Sequence, residues 1–318
     1  MAIETTSTLS LHVRDFYELT FLENLKKRHR FAEFSNKVSV KQGFGPIVIF
    51  SRYAVMAGST SALTEGTVPT EVAMTDQRVS GTVAQYGGHV LLSDLILSTH
   101  ISGYNKFVEQ AIKELSYRAD DSIDLLVRNA LGTSTGANYT LASGAATLAT
   151  MQGSVHVALA NDVRVIVRTL KARDAEFWDG SHFIGIIGPG QSYDLQSEVN
   201  TGGWFDANKY STPELIHKGE LGRLYSVRFF ESTNLSTLSQ SGTISEAYFL
   251  GKDSVAIADI TEVTKPDRRE MKHVNLFIKD PGSAGSADPL NQRSTVGYKF
   301  NMVAVRLDDA RVQVYRVG

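Results

Sequence analysis

The sequence predicts an α+β protein, and three observations carry that prediction. Residues 103–131 read as one long uninterrupted helix. The segment before it is strand-rich and holds no lysine from Lys41 to Lys106, and the chain beyond about residue 262 reads as β alone. Along the helix Tyr104, Val108, Ile112, Leu115, Ala119, Ile123, Leu126 and Ala130 recur every three or four positions and draw one stripe. Charged residues fill the other side, and Gly132 supplies a C-terminal stop. At 1.5 Å per residue such a helix is roughly 40 Å long.

Composition narrows the function classes. At 318 residues, 42% hydrophobic and 21% charged, the chain has the make-up of an ordinary globular protein of one large domain or two. A formal charge of −2 gives no global attraction for nucleic acid or an anionic membrane. The absence of cysteine excludes disulfides and cysteine-ligated zinc or iron–sulfur sites, and suits a reducing cytoplasm. No apolar run approaches the ~18 residues that span a bilayer. The first ten residues lack the basic and apolar regions of a secretory signal, so none is expected.

Taken in order, residues 1–14 are rich in Ser and Thr and read as an extended arm, and residues 15–34 as a helix burying Phe16, Leu19, Leu22, Leu25 and Phe31. The basic cluster Lys26, Lys27, Arg28, His29 and Arg30 on that helix reads as a solvated face, with nucleic-acid contact as the alternative. Pro46 to Phe50 and Gln77 to Tyr86 read as strands, the second alternating at Val79, Gly81 and Val83. Between them lies a Gly/Ser/Thr/Ala-rich excursion with little apolar mass to bury against itself. An isolated hairpin is marginal in water, so such an arm needs a surface, and a neighbouring subunit is the expected one. An active-site lid fits the same residues.

Ser93-Asp94 reads as a helix N-cap, and Asn161-Asp162 as the cap of a second helix bearing Val163, Ile166, Val167, Leu170 and Phe177. Phe183 to Ile187 reads as a buried strand ending at Gly188-Pro189-Gly190, followed by strands near 223–230, 247–250 and 255–260. Residues 264–267 read as a linker. The closing strands alternate at Val274, Leu276 and Ile278, at Val296, Tyr298, Phe300 and Met302, and at Val312 and Val314. They need a partner, and the stripe of the long helix is the expected one.

Motifs that carry chemistry are nearly absent. There is no G-x-x-x-x-G-K-[ST] run, and Val48 and Tyr193 stand where dinucleotide loops need a third glycine. Asp194 stands where a nucleophile elbow needs glycine, and no two histidines fall at H-x-x-x-H spacing. Asp120-Asp121-Ser122-Ile123-Asp124 spells D-D-x-x-D, the magnesium–diphosphate run of prenyl-chain enzymes. Those enzymes are almost wholly helical and carry a second such run, which this chain lacks. The three aspartates are therefore expected at a solvated or subunit-facing edge. No catalytic, cofactor-binding or metal site is expected.

Several short phrases carry a resemblance. They are Phe50-Ser51-Arg52-Tyr53, Leu63-Thr64-Glu65-Gly66, Gln85-Tyr86-Gly87, Leu92-Ser93-Asp94 and Ala119 through Asp124. Tyr193-Asp194-Leu195, Gly219-Glu220-Leu221-Gly222 and Val227-Arg228-Phe229 continue the series. In this order the chain resembles the Hong Kong 97-type major capsid proteins of tailed bacteriophages, and most of all the coliphage N-four-like group.

The resemblance implies a Hong Kong 97-type capsid fold. Residues 1–41 would be the N-arm, 42–92 the extended β-hairpin loop lying over an adjacent subunit, and 93–157 the P domain with its spine helix. Residues 158–261 would be the A domain, and 262–318 the closing strands of the P domain. It implies a shell of hexamers and pentamers around double-stranded DNA contacted non-specifically, assembled in the bacterial host cytoplasm and ending in the virion capsid. Further implied partners are a separate scaffolding protein, a portal and a decoration protein, with no membrane and no cofactor. An encapsulin-type bacterial compartment shares the fold and is the alternative; a soluble enzyme with a mobile lid is the alternative outside it.

Two departures stand out. The family's namesake joins subunits by an isopeptide bond from a loop lysine to an asparagine, but this loop has no lysine, so a shell held non-covalently is expected. No long helical extension precedes the arm, which implies a separate scaffold or a cleaved extension. Candidate inter-subunit contacts are Arg52, Glu65, Glu71, Asp76 and Arg78 on the β-arm and Asp120, Asp121 and Asp124 on the long helix.

Overall fold

The computed structural model describes residues 30–41, 45–54, 56, 58–68, 71–99, 104–132, 138–142, 145, 147–151, 155–198, 220–240, 242–261, 274–279, 283 and 288–318. Most of the helix expected over 15–34, the basic cluster before Arg30 and the linker at 264–267 lie outside the described residues.

Among the described residues, two large sheets, a two-stranded hairpin and one long helix build the fold. The helix α2 (Tyr104–Gly132) follows a short α1 (Asp94–Thr99), whose Ile96 N–H donates to Ser93 Oγ at 3.3 Å, the expected cap. A five-stranded sheet contains β1 (Asn36–Lys41), β4 (Ala84–Ser93), β11 (Val255–Thr261), β12 (Asn275–Lys279) and β13 (Arg293–Arg306). β13 is long enough to organise it. β4 runs antiparallel along one edge, from Ala84 opposite Met302 to Ser93 opposite Arg293. β12 and β11 share the other edge in succession, and parallel β1 extends β11.

The seven-stranded sheet runs β5 (Tyr139–Leu141), β14 (Val312–Val317), β10 (Gly242–Leu250), β6 (Phe183–Ile187), β8 (Val227–Glu231) and β7 (Glu220–Leu224), with β9 (Ser236–Gln240) hairpinned onto β10. The stretch expected as one strand near 223–230 is two, because Tyr225 and Ser226 take φ of 47° and 69° and reverse the chain. Helices α3 (Ala160–Ala172) and α4 (Pro189–Ser197) and short 3-10 turns at Leu148–Thr150 and Asp309–Arg311 complete the described elements.

Strand alternation explains how one sheet serves two cores. Ile184 and Ile186, Tyr248 and Leu250, and Val312 and Val314 face a core shared with α2 and the five-stranded sheet. Their neighbours Phe183 and Ile187, Ala247 and Phe249, and Tyr315 and Val317 face a second core under α3, against Val163, Ile166 and Leu170. Both faces of these strands are apolar, so they read as continuous hydrophobic runs. In the first core Val108, Ile112, Leu115 and Ala119 meet Leu276, Val296, Tyr298, Phe300 and Met302. The C-terminal strands thus cover the long helix from roughly half the chain's length away in sequence.

Two expectations need correcting. First, Asn161-Asp162 does not cap α3. The helix starts at Ala160, whose N–H donates to Glu198 Oε2 at 2.7 Å, while Asp162 is buried and accepts from Tyr315 Oη at 2.7 Å. Second, the strand expected over 77–86 divides at Val83. β3 (Asp76–Thr82) pairs with β2 (Ile47–Tyr53), and β4 then joins β13. Strand membership does not follow chain order: β11 lies in the five-stranded sheet, and β5 and β14 lie in the seven-stranded one. The sheets sort strands by which core each face can join, not by position in the chain.

The stripe of α2 also turns along its length. In its second half Asp124, Val127 and Leu131 are buried, while Ile123, Leu126 and Ala130 are half-buried. Ile112→Ala should therefore cost about 2–5 kcal/mol in denaturant unfolding, and Leu126→Ala about 1 kcal/mol or less. Equal costs at the two positions would contradict this burial.

Candidate assembly surface

The β2–β3 hairpin is held at its base and bare toward its tip. At the base, a Cβ on Gly81 would meet Val305 and Val303 Cγ2 at 2.4 and 2.8 Å, so β3 lies directly on β13. Glycine permits that approach. Val48 is buried on the same side, while Ile47, Ile49 and Tyr53 face outward and are 59%, 58% and 70% exposed.

Further along, Arg52 Nη1 pairs with Asp308 Oδ2 while its Nε donates to Gln77 Oε1 at 3.0 Å. Asp308 also accepts from Ala310 N–H at 2.9 Å and faces Arg311 Nε at 3.2 Å. Burial by itself would raise the Asp308 carboxyl. The Arg52 hydrogen bond, the Ala310 N–H and the charges of Arg52 and Arg311 outweigh it and hold the group below the usual carboxylate range. Arg311 in turn lies 3.9 Å from both Glu176 and Asp253, so the latch belongs to a charge network spanning three loops.

The remaining candidate residues divide. Asp76 and Arg78 pair with each other at 2.6 Å on one strand face. Glu65 and Glu71 are exposed near the tip, where Thr67 N–H donates to Thr64 O around Gly66 at φ 80°. Asp121 is exposed and accepts from Asn234 Nδ2 at 2.8 Å. Asp120 and Asp124 are not at an edge: each is 1% exposed.

The reason for the burial of Asp124 is plain. Its Oδ1 accepts the N–H groups of Arg30, Phe31 and Ala32 at 3.0, 2.8 and 3.4 Å, and its Oδ2 receives Asn234 Nδ2 at 3.3 Å. It secures the segment of residues 30–32 against the helix. Phe31 then packs edge-on against Tyr248, and Phe34 against Trp178 and Phe230. The D-D-x-x-D spelling therefore serves chain anchoring. Sequence reading missed Asp308, Arg311 and Asn234; only Gly81, a glycine inside a strand pattern, carried a visible signal.

No alternative chemistry gathers elsewhere among the described residues. None forms a group of three or more His, Cys, Asp or Glu able to hold a metal, and no described helix is long and apolar enough to cross a membrane. An open cleft of about 390 Å³ lies at the start of α4, lined by Gly188, Pro189, Gln191, Tyr193 and Thr237 among others. Its buried Gln191 is committed internally, accepting from Gly188 N–H and donating to Ser245 O. Ser181 Oγ meets His182 Nδ1 at 2.6 Å, but Asp179 binds the Ser181 and His182 backbone N–H groups as a turn would.

No family model and no curated protein matches the sequence. Solved structures do match the fold. The capsid of Ralstonia phage GP4 superposes with a TM-score of 0.67 at 14% identity, covering 92% of this chain and 91% of that one. The cyanophage Pam1 capsid gives 0.65 at 17% identity over 92% of each chain. The head of Helicobacter pylori bacteriophage KHP40 gives 0.65 at 10% identity, over 91% of this chain and 92% of that one. The mixed α+β fold described above is the fold of these phage capsid chains.

Because the folded Asp308 carboxyl lies below its unfolded value near 4, its contribution is present above pH 4 and is lost as acid titrates the folded group. Deuterium exchange of residues 47–53, expressed relative to the intrinsic amide rate at each pH, should stay slow from pH 8 to 5 and accelerate only below about pH 4. Asp308→Asn should accelerate it roughly two- to fivefold at neutral pH, the scale of a partly exposed pair. An unchanged exchange rate in that variant would remove the latch.

Proposed function

We propose that this chain is the major capsid protein of a tailed phage, self-assembling into the icosahedral head that encloses the double-stranded DNA genome. One observation carries the reading: the likeness to phage capsid subunits extends over about nine-tenths of both chains rather than over one shared domain. The bare hairpin supports it independently. A ribbon with Ile47, Ile49 and Tyr53 turned to solvent gains stability only by covering another surface.

In this reading the parts take the Hong Kong 97-type names. Residues 1–41 form the N-arm, 42–92 the extended loop, α2 the spine of the P domain, and the region from about 158 to 261 the A domain, with residues 262–318 returning to the P domain. β11 and β14 are the strands that knit the two together, each in the sheet of the other's region. The subunits meet as hexamers and pentamers, with a separate scaffolding protein, a portal and a decoration protein as further partners. Packaged DNA is contacted non-specifically, and the chain acts structurally rather than as an enzyme. The phage neighbours favour this over the encapsulin-type compartment.

Purified protein, alone or with its scaffold, should sediment as multi-megadalton particles, and single-particle imaging should find closed icosahedral shells. Boiling those shells in detergent should yield monomers, since the loop lacks lysine. A small, discrete oligomer under all assembly conditions would overturn the reading; a boiling-resistant ladder would overturn the non-covalent shell.

A further inference from the structure

Most arginines that the fold fixes are tied to carboxylates: Arg52, Arg228, Arg306, Arg311 and Arg316 each pair with an Asp or Glu. The outward side of α3 differs. Arg164, Arg168 and Lys171 are exposed there, four and three positions apart, and so share one stripe along the helix. Among the described residues none of the three is in an ion pair. The only carboxylate of α3, Asp162, is buried and committed to Tyr315. Beyond the helix end Asp174 is exposed, and Glu176 faces Lys252 and Arg311.

Two of the three cations lie over aromatic rings. Arg164 Cζ is 5.5 Å from the ring centroid of Tyr225, and Lys171 Nζ is 5.5 Å from that of Phe177. Both rings pack on the core beneath α3, so the side chains are steadied without being neutralised. Like charges one turn apart disfavour a helix unless something outside it neutralises them. The whole chain carries a formal charge of −2, so this concentration of cations is local. From Arg164 to Lys171 the stripe runs about 10 Å at 1.5 Å per residue. Along one strand of duplex DNA that length holds about three phosphates.

We propose that the outward side of α3 is the surface that meets the enclosed duplex, with Arg164, Arg168 and Lys171 each neutralising one phosphate. The inference rests on the shell reading and assigns its DNA contact to one helix. The α3 side of the seven-stranded sheet then faces the interior. The guanidinium forks of the two arginines suit phosphate oxygens. Phosphate contacts carry no base information, so the binding is indifferent to sequence. A weak contact of this kind, repeated on every subunit, spreads the DNA charge over the shell without fixing the duplex at one point.

The test is retention of the unassembled chain on a short random-sequence duplex across a salt series. The triple variant Arg164→Gln, Arg168→Gln and Lys171→Gln should bind about tenfold or more weakly, and its salt dependence should flatten by close to one unit of slope per cation. Arg164→Lys with Arg168→Lys should keep the slope, which separates charge from folding. The control Lys279→Gln, Arg293→Gln and Lys299→Gln removes as many cations from the five-stranded sheet and should leave the slope unchanged. An unchanged slope in the α3 variant, or an equal loss in the control, overturns the proposal. Equal retention on polyglutamate overturns it too, by making an acidic protein the partner. Because the stripe meets DNA and not another copy, the α3 variant should assemble as the wild type does; failed assembly with DNA retention intact overturns the assignment. Wild-type shells without the slope change leave the shell reading and remove this surface; the slope change without shells does the reverse.

Discussion

One carboxylate holds three separated parts of the chain in register. Asp124 sits in the middle of the long helix, where a buried charge is costly unless polar groups solvate it. Three successive backbone N–H groups from residues 30–32 and the amide of Asn234 do so. Arg128, one turn on, donates to the carbonyls of Asn234 and Leu235 and fixes the same loop. Helix, entering segment and the approach to β9 are thus joined at one point. From it Phe31 and Phe34 reach into the core shared by the two sheets.

That junction ties helix, entering segment and loop together well away from the β2–β3 hairpin. The seven-stranded sheet is apolar on both faces and is consumed by two cores, so it can offer assembly little but its edges and loops. Among the described residues, the five-stranded sheet buries one face in the shared core and meets β3 on the other at Val303 and Val305. The hairpin leaves it at a defined angle, because Gly81 brings β3 onto β13 and the Arg52–Asp308 pair fixes a second point farther out. Two points define a line. Beyond them the ribbon is apolar, exposed and acidic.

The sequence by itself determined the periodic features. The long helix stopped at Gly132, the Ser93 cap of the short helix before it, the alternating closing strands and the bare, lysine-free hairpin were all legible, because each is local patterning against water. Their order along the chain was enough to resemble a capsid subunit, and the fold of solved phage capsids agrees. Only the tertiary structure decided which side of each pattern was used. Asp120 and Asp124 look like a solvated edge in sequence, yet Asp124 is drawn inward by N–H groups ninety-odd residues away. Asn161 and Asp162 spell a cap, yet Glu198 supplies it and Asp162 is committed to Tyr315. Asp308 and Arg311 carry no motif at all and become the hairpin's anchor through a partner on β2. Patterns with a period report what faces water; pairings between distant residues are set by how the sheets close, and no spacing along the chain encodes them.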